Sequence, residues 1–223
     1  VWTGVGASVT GASHRRADKP NQDAIEWHPK AQAGSSLMLA VADGHGGERY
    51  VRSGDGARIA VGAALGELRT LLEGDLGFGS PGLSPKSRFV HEYLPRRLYS
   101  AWDRQVAAEE EANPLSGEEL ALAGSRNVAY GCTVLAALVT AEYLVYLQLG
   151  DGDIVTVSDE GSASRPIPRD KRLLGNETTS LASDGAWREI VVAFQPLVDA
   201  PPRLILLSTD GYSNSFRNDD AFL

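Results

Sequence analysis

An unbroken apolar run, Leu37 to Ala42, stops abruptly at Asp43 and gives way to Gly44, His45, Gly46 and Gly47. Its length and its glycine-rich boundary are those of a buried strand. A chain that ends a core strand on a carboxylate must either turn there or use the charge. The glycines permit a sharp turn and leave the Gly44 carbonyl open to a ligand. Asp-Gly is also a common turn dipeptide, so a plain turn accounts for the stretch taken alone. The pattern recurs, however: Val145 to Gly152 reads VYLQLGDG and Leu204 to Gly211 reads LILLSTDG. Asp43, Asp151 and Asp210 each close an apolar run, and Asp23 immediately precedes another, Ala24 to Trp27.

If these strand ends share an edge, four carboxylates converge. Clustered carboxylates repel, and a buried unpaired charge is costly. Divalent cations relieve both penalties. Oxygen ligands suit Mg²⁺ or Mn²⁺, whereas four scattered histidines and one cysteine give no zinc spacing. Two such ions about 3.5–4 Å apart can activate water and hold phosphate oxygens. Independent Asp-Gly turns in a β scaffold remain the competing reading at this level.

The surrounding pattern is α+β. Gly4 to Thr10 alternates like a first strand, and Ala24 to Trp27 and Leu37 to Ala42 follow as its neighbours. Val51 to Leu72 carries a helical apolar stripe interrupted by Gly54, Gly56 and Gly62. Lys86 to Ala112 reads as a second long helix, kinked or bounded at Pro95. Ser116 and Glu119 have capping-box spacing. Tyr130 to Thr140, Tyr143 to Leu149 and Ile154 to Val157 then read as successive antiparallel strands, followed by Glu189 to Phe194 and Arg203 to Thr209. The polar stretch between them, Ser162 to Trp187, reads as a mobile surface excursion.

At 223 residues and 43% hydrophobic, the chain has the material for one domain. It begins at Val1 and stops at Leu223 in an unfinished polar loop, which reads as a piece of something longer. A net charge of −8 argues against nucleic-acid binding through a basic field. No apolar run approaches the roughly 20 residues that span a bilayer, and the lone Cys132 suits a reducing, cytoplasmic setting.

NQDA at 21–24, VADGHGG at 41–47, GCTVLAALV at 131–139, LGDGD at 149–153 and STDG at 208–211 occur in the order and approximate spacing of one family. The chain resembles the metal-dependent type-2C serine/threonine protein phosphatases, as a bacterial-type member. The resemblance covers essentially all of the sequence and is carried by the ordered set rather than by any one motif. It implies a four-layer αββα sandwich, two central mainly antiparallel sheets flanked by helix pairs, and a single phosphatase domain over residues 1–223 whose last metal-ligand motif lies beyond Leu223. It implies Mn²⁺ or Mg²⁺, two ions and a third, weaker one. Asp43 would bridge the pair, the Gly44 carbonyl would bind one and Asp210 the other. Asp23 would hold their waters, and Asp151 the third ion. His45 would protonate the leaving alkoxide, a role needing a near-neutral pKa; capping the turn is its plain alternative. Arg16, with Arg15 and His14 as alternates, would grip the phosphate, although a solvated basic loop accounts for these residues as well. Thr133 would support the site from behind the ligands. Gln22 stands where the family has Glu, and accepts hydrogen bonds without supplying charge. The implied substrate is a phosphoserine or phosphothreonine protein. The competing implication is a regulatory or binding module that kept the fold and lost the chemistry.

Overall fold

The computed structural model describes residues 1–16, 18, 20–30, 34–74, 85–169, 178–198 and 200–223, with the side chains of Ser13 and His14 set aside. Two antiparallel sheets organise them. The first has five strands, in the order β1 (Ala24–His28), β2 (Leu37–Ala42), β3 (Val134–Val139), β4 (Tyr143–Leu149) and β7 (Val191–Pro196). The second has three, in the order β6 (Ala163–Ser164), β5 (Asp153–Val157) and β8 (Leu204–Ser208).

Every residue of β3 is buried, because both of its faces are covered. Period-two alternation sends Val134, Ala136 and Leu138 into one core and Leu135, Ala137 and Val139 into another. The first core lies under helices α2 (Ser53–Glu73) and α4 (Leu94–Ala112), which contribute Leu68, Leu71, Leu98 and Trp102. The second lies against the three-stranded sheet and takes in Leu144, Tyr146 and Ile154. The interior glycines of α2 do not break it. At Gly56 a Cβ would collide with the Tyr130 carbonyl, so glycine there admits the helix to close range, and Trp102 Nε1 donates to the Gly56 carbonyl at 3.2 Å.

Several expectations need correction. Gly4 to Thr10 joins no ladder; only Trp2 makes an isolated bridge, to Gly34. Alternation gives such a segment two faces, but no described strand lies along it to complete hydrogen bonds. The second long helix is not continuous. It runs as α3 (Pro85–Arg88), a π-helical turn over Phe89–Tyr93 and then α4, with the Leu94 N–H reaching the Phe89 carbonyl. Pro95 has no N–H to give and its ring crowds the carbonyl four residues back, so the preceding turn widens. The ladder of β3 begins only at Val134, after Tyr130–Thr133. β5 does not continue the hairpin of β3 and β4: it crosses over and founds the second sheet with β8. The excursion 162–187 is partly interior, with Ile167, Leu181 and Ala186 buried; its residues 170–177 lie outside those described.

The capping box is as read, with Ser116 and Glu119 satisfying each other's backbone N–H at the start of α5 (Gly117–Ala123). Short helices complete the described chain: α1 (Ala12–Arg16), α6 (Arg126–Ala129), α7 (Asp210–Ser213) and α8 (Asp219–Phe222). Among the described residues no helix is long and apolar enough to cross a membrane.

Candidate active site

Strand register brings the acidic strand ends together. Ala24 pairs with Ala42, so Asp23 and Asp43 leave β1 and β2 at the same end. Val134 pairs with Leu149, so Thr133 and the Gly150–Asp151 turn lie at that end too. Asp153 pairs with Ser208, which sets Asp210 beside the crossover that holds Asp151. Three of the carboxylates hang from the five-stranded sheet or its exit, and Asp210 from the other sheet.

The electrostatics register the convergence. Burial and the charges of Asp23, Asp210 and Asp151 push the Asp43 carboxyl from 3.8 up to about 8, and Asp210 also lies within its hydrogen-bonding reach. Burial and Asp210 raise the Asp151 carboxyl as well. Among the described residues, however, no three His, Cys, Asp or Glu side chains close on one point as a finished metal cage. Three of the acids are held by polar neighbours instead. Thr209 donates to Asp23 at 3.0 Å, Thr178 to Asp151 at 3.0 Å and the Asn214 amide to Asp210 at 3.0 Å.

Thr133 grips Asp43 through its backbone. Its hydroxyl accepts from the Asp43 N–H at 3.0 Å, and its own N–H donates to the Asp43 carbonyl at 2.9 Å. Gly44 bridges to Cys132 and is buried. The His45 N–H donates to the Gly131 carbonyl at 3.2 Å, and its ring meets Tyr50 edge-on, with centroids 4.7 Å apart. Burial pushes the His45 imidazole down to about 4, away from the near-neutral value expected of it. Gln22 turns its amide onto Ser53 at 2.5 Å. Arg15 and Arg16 are exposed on α1, and His14 shares that helix with its side chain outside the described set.

Sequence reading missed Ser53, Thr178 and Thr209. Thr209 lay inside the STDG motif and could have been found there. Ser53 falls inside the helical stripe Val51 to Leu72 with nothing to single it out, and Thr178 sits in a polar stretch with no local signal.

A family model described as Protein phosphatase 2C matches residues 10–223. The chain belongs to the protein phosphatase 2C family. This phosphatase 2C chain is 30% identical over 158 residues to serine/threonine-protein phosphatase 3 of Escherichia coli (strain K12), covering 69% of this chain and 53% of that protein. It thus spans about half the length of that curated relative. The sandwich also superposes on solved phosphatase structures. Against the Mycobacterium tuberculosis serine/threonine phosphatase PstP/Ppp the TM-score is 0.50 at 18% identity, over 91% of this chain and 77% of that one. Against Stp1 from Staphylococcus aureus it is 0.52 at 14% identity, over 91% and 75%. A PstP catalytic domain solved in complex with 2 manganese ions gives 0.50 at 21% identity, over 90% and 76%. At these identities the superpositions carry the fold: a phosphatase 2C αββα sandwich, whose helical layer over the five-stranded sheet is α2 and α4.

Proposed function

We propose that this chain hydrolyses phosphoserine and phosphothreonine in proteins at a binuclear Mn²⁺ or Mg²⁺ centre. The observation that carries the reading is the strand register that brings Asp23, Asp43, Asp151 and Asp210 to one end of the sandwich, where partial burial and the neighbouring carboxylates push the Asp43 carboxyl upward. Bringing like charges together in this way costs stability unless cations offset it. All the candidate donors are oxygens, which fits Mn²⁺ and Mg²⁺.

Asp43 and the Gly44 carbonyl would hold the pair with Asp210, and Asp23 would hold their water ligands. Asp151 would serve a third ion. Bound there, the ions would activate water and neutralise phosphoryl charge. The chain's own residues do the rest. Thr133 fixes the Asp43 backbone from both sides. His45, a neutral imidazole in this surrounding, sits two residues from Asp43; an anionic phosphoryl group seated beside it would favour the charged ring and equip it to protonate the departing alkoxide. Arg16, or Arg15 beside it, would orient phosphate oxygens through the planar guanidinium fork.

Asp43→Asn and Asp210→Asn should each lower Mn²⁺-dependent phosphate release from a phosphopeptide at least 100-fold. Turnover at the wild-type rate in either variant would overturn the assignment. A second reading, a regulatory member without catalysis, draws on the unfinished cage and the neutral Gln22. Titration of Mn²⁺ with p-nitrophenyl phosphate as substrate separates the two, since a regulatory module gives no saturable turnover at any concentration of metal.

A further inference from the structure

Gln22 and Ser53 meet behind the Asp43–Gly47 turn. The Gln22 amide donates to the Ser53 hydroxyl at 2.5 Å, and that hydroxyl donates to the His45 carbonyl at 2.9 Å. Ser53 is fully buried and opens α2, a helix of 21 residues packed on the larger core. The backbones of the same two residues close on the Gly44 Cα, on the side where a Cβ would project. A Cβ at Gly44 would stand 2.6 Å from the Gln22 carbonyl oxygen and 2.8 Å from the Ser53 carbonyl. One peptide, the one carrying the Gly44 carbonyl, is thus walled by Gln22 and Ser53 and tied down just beyond by their side chains.

The donor count fixes the identity of residue 22. The His45 carbonyl only accepts, so the single Ser53 proton is committed to it. What Ser53 has left is a lone pair, and its partner must donate. An amide can; a carboxylate cannot. An ionised Glu at this place would either take the Ser53 proton and release the His45 carbonyl, or set two acceptors against each other at hydrogen-bond distance, and a Glu that kept its proton to avoid this would supply no charge to an ion. It would also add a charge next to Asp23, in a neighbourhood already overloaded with carboxylates.

We propose that Gln22 and Ser53 are positioning residues that latch the Gly44–His45 peptides to the start of α2, presenting the Gly44 carbonyl before any ion arrives. Gln22 works as a donor to protein, in place of a charge offered to the metal. The proposal rests on the reading of Asp43 and Gly44 as metal ligands, and it makes residue 22 matter in the opposite sense from a ligand. If residue 22 fed charge to the ions, Gln22→Glu would tighten metal binding. A latch requires Gln22→Glu to loosen it.

The test uses the whole chain and Mn²⁺ alone. Calorimetric titration should show Mn²⁺ binding weakened about 10-fold by Gln22→Glu and by Ser53→Ala, within the 10–100-fold range for groups that orient ligands. Gln22→Glu/Ser53→Ala should bind no worse than Ser53→Ala, because the opposed acceptors are gone. Amide hydrogen exchange in EDTA should quicken at residues 44–46 in both single variants. Tighter Mn²⁺ binding by Gln22→Glu, or exchange at 44–46 unchanged in it, would overturn the latch. Gln22→Glu alone suffices if Ser53→Ala does not fold. Absence of Mn²⁺ binding by the wild type would sink the metal reading, and the exchange measurement, made without metal, would still decide the latch.

Discussion

The two sheets of the sandwich are held by different forces. In the five-stranded sheet β3 is buried throughout and β4 nearly so, between a helical layer and the second sheet. In the three-stranded sheet β8 is mostly half-exposed, and Leu204 at its start is 53% exposed. On the side of β5 opposite Ile154 the holding is ionic. Asp153, whose side chain is wholly buried, accepts from Arg165 at 2.6 Å and Arg169 at 2.7 Å. Arg165 reaches on to Asp219 at the start of α8 with bonds of 2.9 and 2.6 Å. The first sheet is therefore the platform, with its central strands packed between two apolar cores, while the second shares one of those cores and is pinned in addition by a few directional bonds. This matters for chemistry because Asp43 belongs to the platform and Asp210 to the pinned sheet. The spacing of the proposed ligands depends on how firmly one sheet is seated on the other.

The largest effect is expected in the five-stranded sheet. Leu138→Ala opens a cavity between β3 and the helices and should cost about 3–4 kcal/mol in urea unfolding, whereas Ile205→Ala on half-exposed β8 should cost about 1–2 kcal/mol. Equal costs would mean the two sheets are equally packed. Next comes the pin. Asp153→Ala leaves Arg165 short of a buried partner and should cost about 3 kcal/mol, while Arg169→Ala, at the exposed rim of the network, should cost under about 1 kcal/mol. The sharper expectation is that Asp153→Ala also lowers Mn²⁺ affinity, by shifting Asp210 relative to Asp43.

A smaller effect concerns pH in the absence of metal. Folded Asp43 holds its proton to about 8, but the unfolded chain releases it near 3.8, so its contribution is present below about 3.8 and lost as pH rises through about 8. His45 acts oppositely. Its folded value of about 4 lies below the ordinary 6.5, so its contribution is complete above 6.5 and lost as pH falls through 4. Between 6.5 and 8 only the Asp43 loss remains of these two. In EDTA the unfolding free energy should fall over that window by at most about 2 kcal/mol, and Asp43→Asn should flatten the slope. Mn²⁺ should restore stability more strongly at pH 8 than at 6.5, since it displaces a proton. The smallest effect is expected at Arg203→Ala, whose exposed pair with Asp159 should be worth under about 0.5 kcal/mol by thermal melting.

Much of the local structure was legible. β4 spans Tyr143–Leu149 as read, β2 spans Leu37–Ala42, and the capping box sits where its spacing put it. These features depend on neighbours a few residues away. Two of the misreadings, both of strands, share one cause. Gly4 to Thr10 has the alternation of a strand and no ladder, and β5 has the look of a third hairpin strand yet pairs with β8. Alternation says which side chains share a face; it does not say which strand lies alongside. The site divides the same way. Asp23, Asp43, Asp151 and Asp210 could be picked from strand ends, but Ser53, Thr178 and Thr209 found their partners across 31, 27 and 186 residues.

The order of the residues was enough to give the apolar runs of β2 and β4 and an aspartate just past the ends of three strands. That these strand ends share one end of the sandwich, that a crossover after β4 puts Asp151 between the sheets, and that Gln22 faces Ser53 rather than open water came with the packing of distant segments. Burial and turn chemistry are properties of a few consecutive residues. Which strand pairs with which, and which donor meets which acceptor, is fixed only when distant segments compete for the same hydrogen bonds and the same core.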